Sequence, residues 1–173
     1  NIPGLQDRLT ADYGARTSQL FAESRYQIPL TSTITMEPFV DGAYVQSYTQ
    51  SFNESGGIAR LSGASDTTDM FFTTIGNRFT QQLTLEGGQT AKLWGTVGWR
   101  HAYNEVTPDA NLNFAGYSSF NIEGTQLSKD VAILEAGIDV SLTKETTVGI
   151  MYNGQIGDNS TDHGAKAYFN WRF

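Results

Sequence analysis

The sequence predicts an all-β chain, an antiparallel up-and-down transmembrane β-barrel of the outer-membrane type. Three observations carry that expectation. Apolar and polar residues alternate with a period of two through seven segments, the pattern of a strand with one apolar and one polar face. The connections between segments alternate short and long. The aromatic residues on the apolar faces gather toward the segment ends. Mean hydropathy is only -0.34 and 39% of the 173 residues are hydrophobic, yet a barrel needs no higher average, because every second residue faces a wet lumen. No run approaches the roughly 18 apolar residues of a membrane helix.

The elements follow in order. In "ARTSQLFAESRYQI", Leu20, Ala22, Tyr26 and Ile28 oppose Gln19, Glu23, Arg25 and Gln27. In "TITMEPFVDGAYVQSY", Ile34, Met36, Pro38, Val40, Tyr44 and Tyr48 oppose Glu37, Phe39, Asp41 and Ala43. The third, "MFFTTIGNRFTQQLTL", sets Phe71, Ile75, Phe79, Leu83 and Leu85 against Thr74, Gly76, Arg78, Thr80 and Gln82. Asn77 falls on its apolar face, an exception to the pattern. "AKLWGTVGWRHAY" sets Ala91, Leu93, Val97, Trp99 and Tyr103 against Lys92, Thr96, Gly98 and Arg100. "VAILEAGIDVSL" sets Ala132, Leu134, Ala136, Ile138, Val140 and Leu142 against Glu135, Gly137, Asp139 and Ser141. "TTVGIMYNGQIG" sets Val148, Ile150, Tyr152 and Ile156 against Gly149, Asn153 and Gln155. The closing "HGAKAYFNWRF" puts Ala165, Ala167, Phe169, Trp171 and Phe173 on one face and Lys166, Tyr168, Asn170 and Arg172 on the other.

"PLTS", "EGGQ" and "TKE" make short connections, while Ser51 to Thr68, Asn104 to Asp130 and "DNSTDH" make longer ones. Outer-membrane barrels pair short periplasmic turns with long extracellular loops, so the last strand is expected to descend and leave Phe173 at the periplasmic face. Tyr44, Tyr48, Phe71, Trp99, Tyr103 and Tyr152 then sort to the outer interface, and Tyr26, Trp171 and Phe173 to the inner one. A bilayer selects such girdles, since amphipathic rings prefer the headgroup level. Phe114, Tyr117 and Phe120 are expected to anchor the longest loop over the barrel mouth, unless that loop holds an extra strand pair. Seven strands cannot close an antiparallel barrel, because an open edge in lipid leaves backbone groups unpaired. The chain is therefore expected to be about seven strands of a larger barrel.

A net charge of -7 argues against nucleic acid as a partner. The chain holds no cysteine and two histidines, so a disulfide framework and a cysteine nucleophile are excluded. His101 and His163 belong to no nucleophile–base constellation and are too few for a usual metal site; both read as interfacial histidines. "GGQTAK" lacks the spacing of a phosphate loop and reads as a turn. No catalytic residue, metal site or cofactor is expected.

The order and spacing of "MEPFVDGAYV", the Gly76 to Arg78 pair, "VGWRHAY", "FAGYSSFNIEG", "AILEAGIDVSL", "VGIMYNGQIG" and the terminal "YFNWRF" resemble the C-terminal portion of an autotransporter translocator domain, the type V secretion β-barrel. The likeness runs from about Leu9 to Phe173. It implies a twelve-stranded barrel in the outer membrane of a Gram-negative bacterium, of which residues 1–173 supply the last seven strands. It also implies an upstream secreted passenger and a helix threading the lumen. Glu23, Arg25, Glu37, Asp41, Arg78, Lys92, Arg100, Glu135, Asp139 and Lys166 would then line the lumen, either gripping plug or passenger or forming a hydrated wall. The terminal strand resembles the signal read by the barrel assembly machinery, with Phe169, Trp171 and Phe173 as its apolar residues. Tyr168 stands where that signal usually has glycine. Outer-membrane lipid and lipopolysaccharide are the remaining partners. Two other classes stay open: a small closed barrel with a structural or adhesive role, and an outer-membrane enzyme.

Overall fold

A computed structural model describes residues 8–104 and 107–173, and every element in it is a β-strand. No helix among the described residues is long and apolar enough to cross a membrane. Residues 1–7 of the expected domain, and 105 and 106 of its longest loop, lie outside the described residues.

In chain order the strands are β1 (Ala15–Arg25), β2 (Ile28–Pro29), β3 (Ile34–Thr49), β4 (Phe52–Asn53), β5 (Leu61–Gly63), β6 (Asp66–Thr84), β7 (Thr90–Ala102), β8 (Asp109–Phe114), β9 (Phe120–Glu123), β10 (Asp130–Ser141), β11 (Thr146–Gly157) and β12 (Thr161–Trp171). The seven long ones are the seven expected, and they join in the order β1-β3-β6-β7-β10-β11-β12, with β2 pairing β3. Each long strand lies beside its sequence neighbour among the long strands, as an up-and-down meander requires.

The strand registers fix the faces. Thr96 opposes both Arg78 and Glu135, and Glu135 opposes Asn153. Asp139 opposes Lys92 and Gly149, and Gly149 opposes Tyr168. Residues opposite one another share a face, so the polar parities of all these strands fall together. Leu93, Ile138, Ile150 and Ala167 form a matching row on the other side. Exposure follows the same division. Leu134, Ile150 and Phe169 are 44%, 61% and 66% exposed, while Thr74 and Thr96 on the polar face are buried. Apolar out and polar in is the reverse of a water-soluble sheet.

Several expected boundaries move. β6 begins at Asp66 rather than Met70, and β1 ends at Arg25, so Tyr26 stands outside it. "DNSTDH" is no long loop. Strand pairing resumes at Thr161, leaving Asp158 to Ser160 as a tight connection closed by Gly157 N–H donating to Ser160 C=O at 2.9 Å. Its polar composition resembled a loop, but Thr161, Asp162 and His163 pair with Ile156, Gln155 and Gly154.

By contact the chain divides into two units. One holds Asn1–Leu20, Tyr44–Phe71 and Asn104–Leu127; the other holds Phe21–Ala43, Phe72–Tyr103 and Ser128–Phe173. Within the first, the two long connections fold together. β4, β5, β8 and β9 make a second antiparallel sheet in that order, and Leu61 opposes Phe114 across the β5–β8 pair. The extra strand pair allowed for Asn104 to Asp130 therefore exists, outside the main sheet. Phe114 and Phe120 stack at 5.7 Å between ring centroids. Tyr117 is not a packing anchor, because it sits in the turn between them and is 79% exposed.

Candidate functional site

The polar face of the second unit carries most of the residues singled out from the sequence, and the strands bring them together in three groups. The first centres on Arg78. Its guanidinium reaches Glu23 at 2.7 Å and Glu37 at 3.3 Å, and Arg25 approaches the same two carboxylates at 3.8 and 3.7 Å. Both Arg78 terminal nitrogens donate to Glu23, the forked geometry that makes such pairs directional. Gln27 donates to Glu37 at 3.0 Å. Beneath the guanidinium lies the Phe39 ring, 4.2 Å from charge centre to centroid, a cation–π contact.

Glycine makes that stack possible. A Cβ on Gly76 would stand 2.7 Å from the Phe39 ring and 2.6 Å from the Val97 carbonyl oxygen. Only a residue without a side chain lets the ring lie flat and carry Arg78 above it. Three strands thus assemble one cluster from β1, β3 and β6, and the Gly76–Arg78 spacing of two residues puts both on one face.

The second group crosses four strands in one row. Lys92 lies 3.7 Å from Asp139, the Tyr168 hydroxyl donates to Asp139, and the Lys166 ammonium lies 6.0 Å from the Tyr168 ring. Gly149 occupies the place between Asp139 and Tyr168; its added Cβ would meet the ring at 2.5 Å. The third group is smaller. Arg100 donates to the Gln155 side chain at 2.8 Å and lies over the Phe72 ring at 5.6 Å. Asp41 and Glu135 share the polar face by parity and stand outside these groups. Sequence reasoning missed Phe39 and Gln155 as members. Each lies on a polar parity, Phe39 one strand from Arg78 and Gln155 two strands from Arg100.

The terminal strand divides its aromatics. Phe169 and Trp171 are 66% and 65% exposed on the apolar face, and Trp171 meets Phe173 at 6.2 Å. Tyr168 points the other way, into the second group. Among the described residues β12 pairs with β11 alone, so its far edge presents unpaired backbone groups to any incoming strand. Arg172 N–H donates to Glu145 C=O at 2.9 Å, tying the chain end to the β10–β11 turn.

The histidines lie on the apolar parity. His101 contacts Asp130 at 2.7 Å, and the same carboxylate oxygen accepts from the Trp99 indole at 3.0 Å. His163 meets the Tyr152 hydroxyl at 2.6 Å. Polar tips of rings are thus bonded laterally between strands. Among the described residues no three His, Asp or Glu side chains are grouped to hold a metal ion.

This chain matches the family model described as the autotransporter beta-domain over residues 1–153. It is 34% and 35% identical to two proteins named extracellular serine protease, both from Serratia marcescens, over the whole of its own length. The chain spans 16% of the length of each.

Proposed function

The chain belongs to the autotransporter beta-domain family, and from that premise we propose that residues 1–173 are the C-terminal portion of an outer-membrane translocator barrel that anchors an N-terminal passenger and helps export it. The observation that carries the proposal is the two-faced meander: one apolar face from β6 to β12, and one polar face bearing the Arg78 and Asp139 groups. A chain crossing the barrel meets a hydrated, charged wall, while lipid and the acyl chains of lipopolysaccharide meet the apolar side.

Glu23, Arg25, Glu37, Asp41, Arg78, Lys92, Arg100, Glu135, Asp139 and Lys166 line that wall. Most of them are already paired with one another, which supports a role in stiffening the wall for the Arg78 group. Asp41 and Glu135 are the better candidates for contact with a plug or passenger. β12 is the strand the assembly machinery would hold, through its open edge and through Phe169, Trp171 and Phe173. No catalytic residue is assigned to residues 1–173. The relatives' name, extracellular serine protease, supports an exported hydrolase as the passenger. The closed small-barrel reading is less well supported, since β1 and β12 are the two ends of the sheet order.

The test uses the full-length parent protein in its own membrane. Removing β12 (Thr161–Trp171) is expected to leave the passenger protected from external protease. A passenger that still reaches the surface in full amount overturns the proposal.

A further inference from the structure

We propose that the apolar face carries a self-association site centred on Gln81, through which a second copy of this chain packs in the plane of the membrane. The inference rests on the reading that this face meets hydrocarbon. Asn77 opposes Val97, and Gln81 opposes Leu93. Val97 and Leu93 are 50% and 40% exposed on the apolar face, so both amides stand among residues destined for lipid. Phe79, 42% exposed, lies between them on the same strand and face.

Depth makes the placement costly. Asn77 lies four residues from Thr73, which bonds the rim residue Tyr103 at 3.0 Å, and Gln81 lies four residues from Leu85 at the β6–β7 turn. A strand tilted about 40° descends roughly 2.5 Å per residue. Each amide is therefore about 10 Å inside its end of the span, within the hydrocarbon. Among the described residues neither side-chain amide makes a hydrogen bond. Polar side chains at such depth face protein or water rather than lipid.

Beside Gln81 the surface is notched. Gly95 opposes Phe79 and leaves a hollow of about 220 Å³, lined by Ile34, Phe79, Thr80, Gln81, Leu93, Trp94 and Gly95. A protruding ring next to a hollow of this kind is self-complementary. The amides are too, because a carboxamide donates and accepts at once. A two-fold axis along the membrane normal keeps every residue at its own depth in both copies. Gln81 then meets Gln81, donor to acceptor in both directions, and the Phe79 ring of one copy seats beside Gly95 of the other. Such an interface is isologous, and small residues with polar hydrogen bonds are what hold membrane segments together.

Residues 1–173 hold no cysteine, and any cysteine elsewhere in the full-length parent is first replaced by serine, so that single introduced cysteines report cleanly. Leu93→Cys at the notch and Leu134→Cys on β10 are oxidised in native outer membranes. The expected result is a disulfide-linked dimer from Leu93→Cys and little from Leu134→Cys. Adding Gln81→Leu should lower the dimer yield at least fivefold while the barrel keeps its heat-modifiable migration in gels. No dimer, a dimer indifferent to that leucine, or a cross-link to a different protein overturns the proposal. Quenching of a fluorophore at Leu134→Cys by a lipid-borne quencher separates the two readings. Without quenching, the lipid-facing assignment fails; with quenching and no dimer, only the pairing fails.

Discussion

At the scale of single residues, Arg78 is the side chain on which most polar contacts converge. It neutralises Glu23 and Glu37, and its removal leaves two carboxylates beside one another with only Arg25 at longer range. Arg78→Met keeps the contact with the Phe39 ring and loses the charge. The expected cost is roughly 1–3 kcal/mol, the worth of a few charge-assisted hydrogen bonds on a half-exposed group. Urea unfolding of the folded barrel in bilayers measures it; no change would mean the network is ornamental. Gly149 and Tyr168 make a second test. Gly149→Val pushes the ring off Asp139, whereas in a Tyr168→Ala background the same substitution has only the Asp139 carboxylate oxygen to displace, 2.7 Å from the added Cβ. The two changes should therefore be strongly non-additive. The alternation in the sequence assigned the face of every one of these residues. What it lacked was pairing: no spacing along the chain tells that Glu23 and Arg78, 55 positions apart, share a hydrogen bond.

At the scale of elements, β12 offers the sharpest contrast between faces. Phe169→Arg puts a charge where Val148 and Ile150 mark the apolar side, and two residues from the girdle residue Trp171 it should cost about 1–2 kcal/mol, between the interfacial and midplane values. Asn170→Arg, one residue on, should cost little. Equal losses on folding into lipid vesicles would remove the face assignment. The long strands were legible because a period of two sustained over eleven or more residues is hard to produce otherwise. The short strands were not. β4, β5 and β9 span two to four residues, too few to show a period, and β5 and β8 find each other across about 50 positions. Deleting the β8–β9 hairpin, Asp109 to Glu123, strips β5 of that partner. Amide protection at Leu61 to Gly63 should then collapse, while protection in β10 and β11 persists. Retained protection in β5 would show that the second sheet is not a cooperative pairing.

At the scale of the whole molecule, the orientation in the membrane follows from which end of the strands carries the two long connections, those that follow β3 and β7. Lys144 lies in the β10–β11 connection, and the Arg172 N–H to Glu145 C=O bond holds the last residues beside that same turn. Phe173 and Lys144 therefore share one side of the membrane. Tyr117, on the β8–β9 hairpin, follows β7, whose opposite end joins the β6–β7 turn. One crossing of the bilayer by β7 separates the two sides, so Tyr117 and Lys144 cannot both be outside. Outer-membrane barrels carry short turns on the periplasmic side and their longer loops outside. Tyr117→Cys in the full-length parent should accordingly react with a membrane-impermeant maleimide on intact cells. Lys144→Cys should react only once the outer membrane is permeabilised. The reverse pattern would place the chain end at the cell surface, and β12 could then no longer be the strand presented to an assembly machine on the periplasmic side.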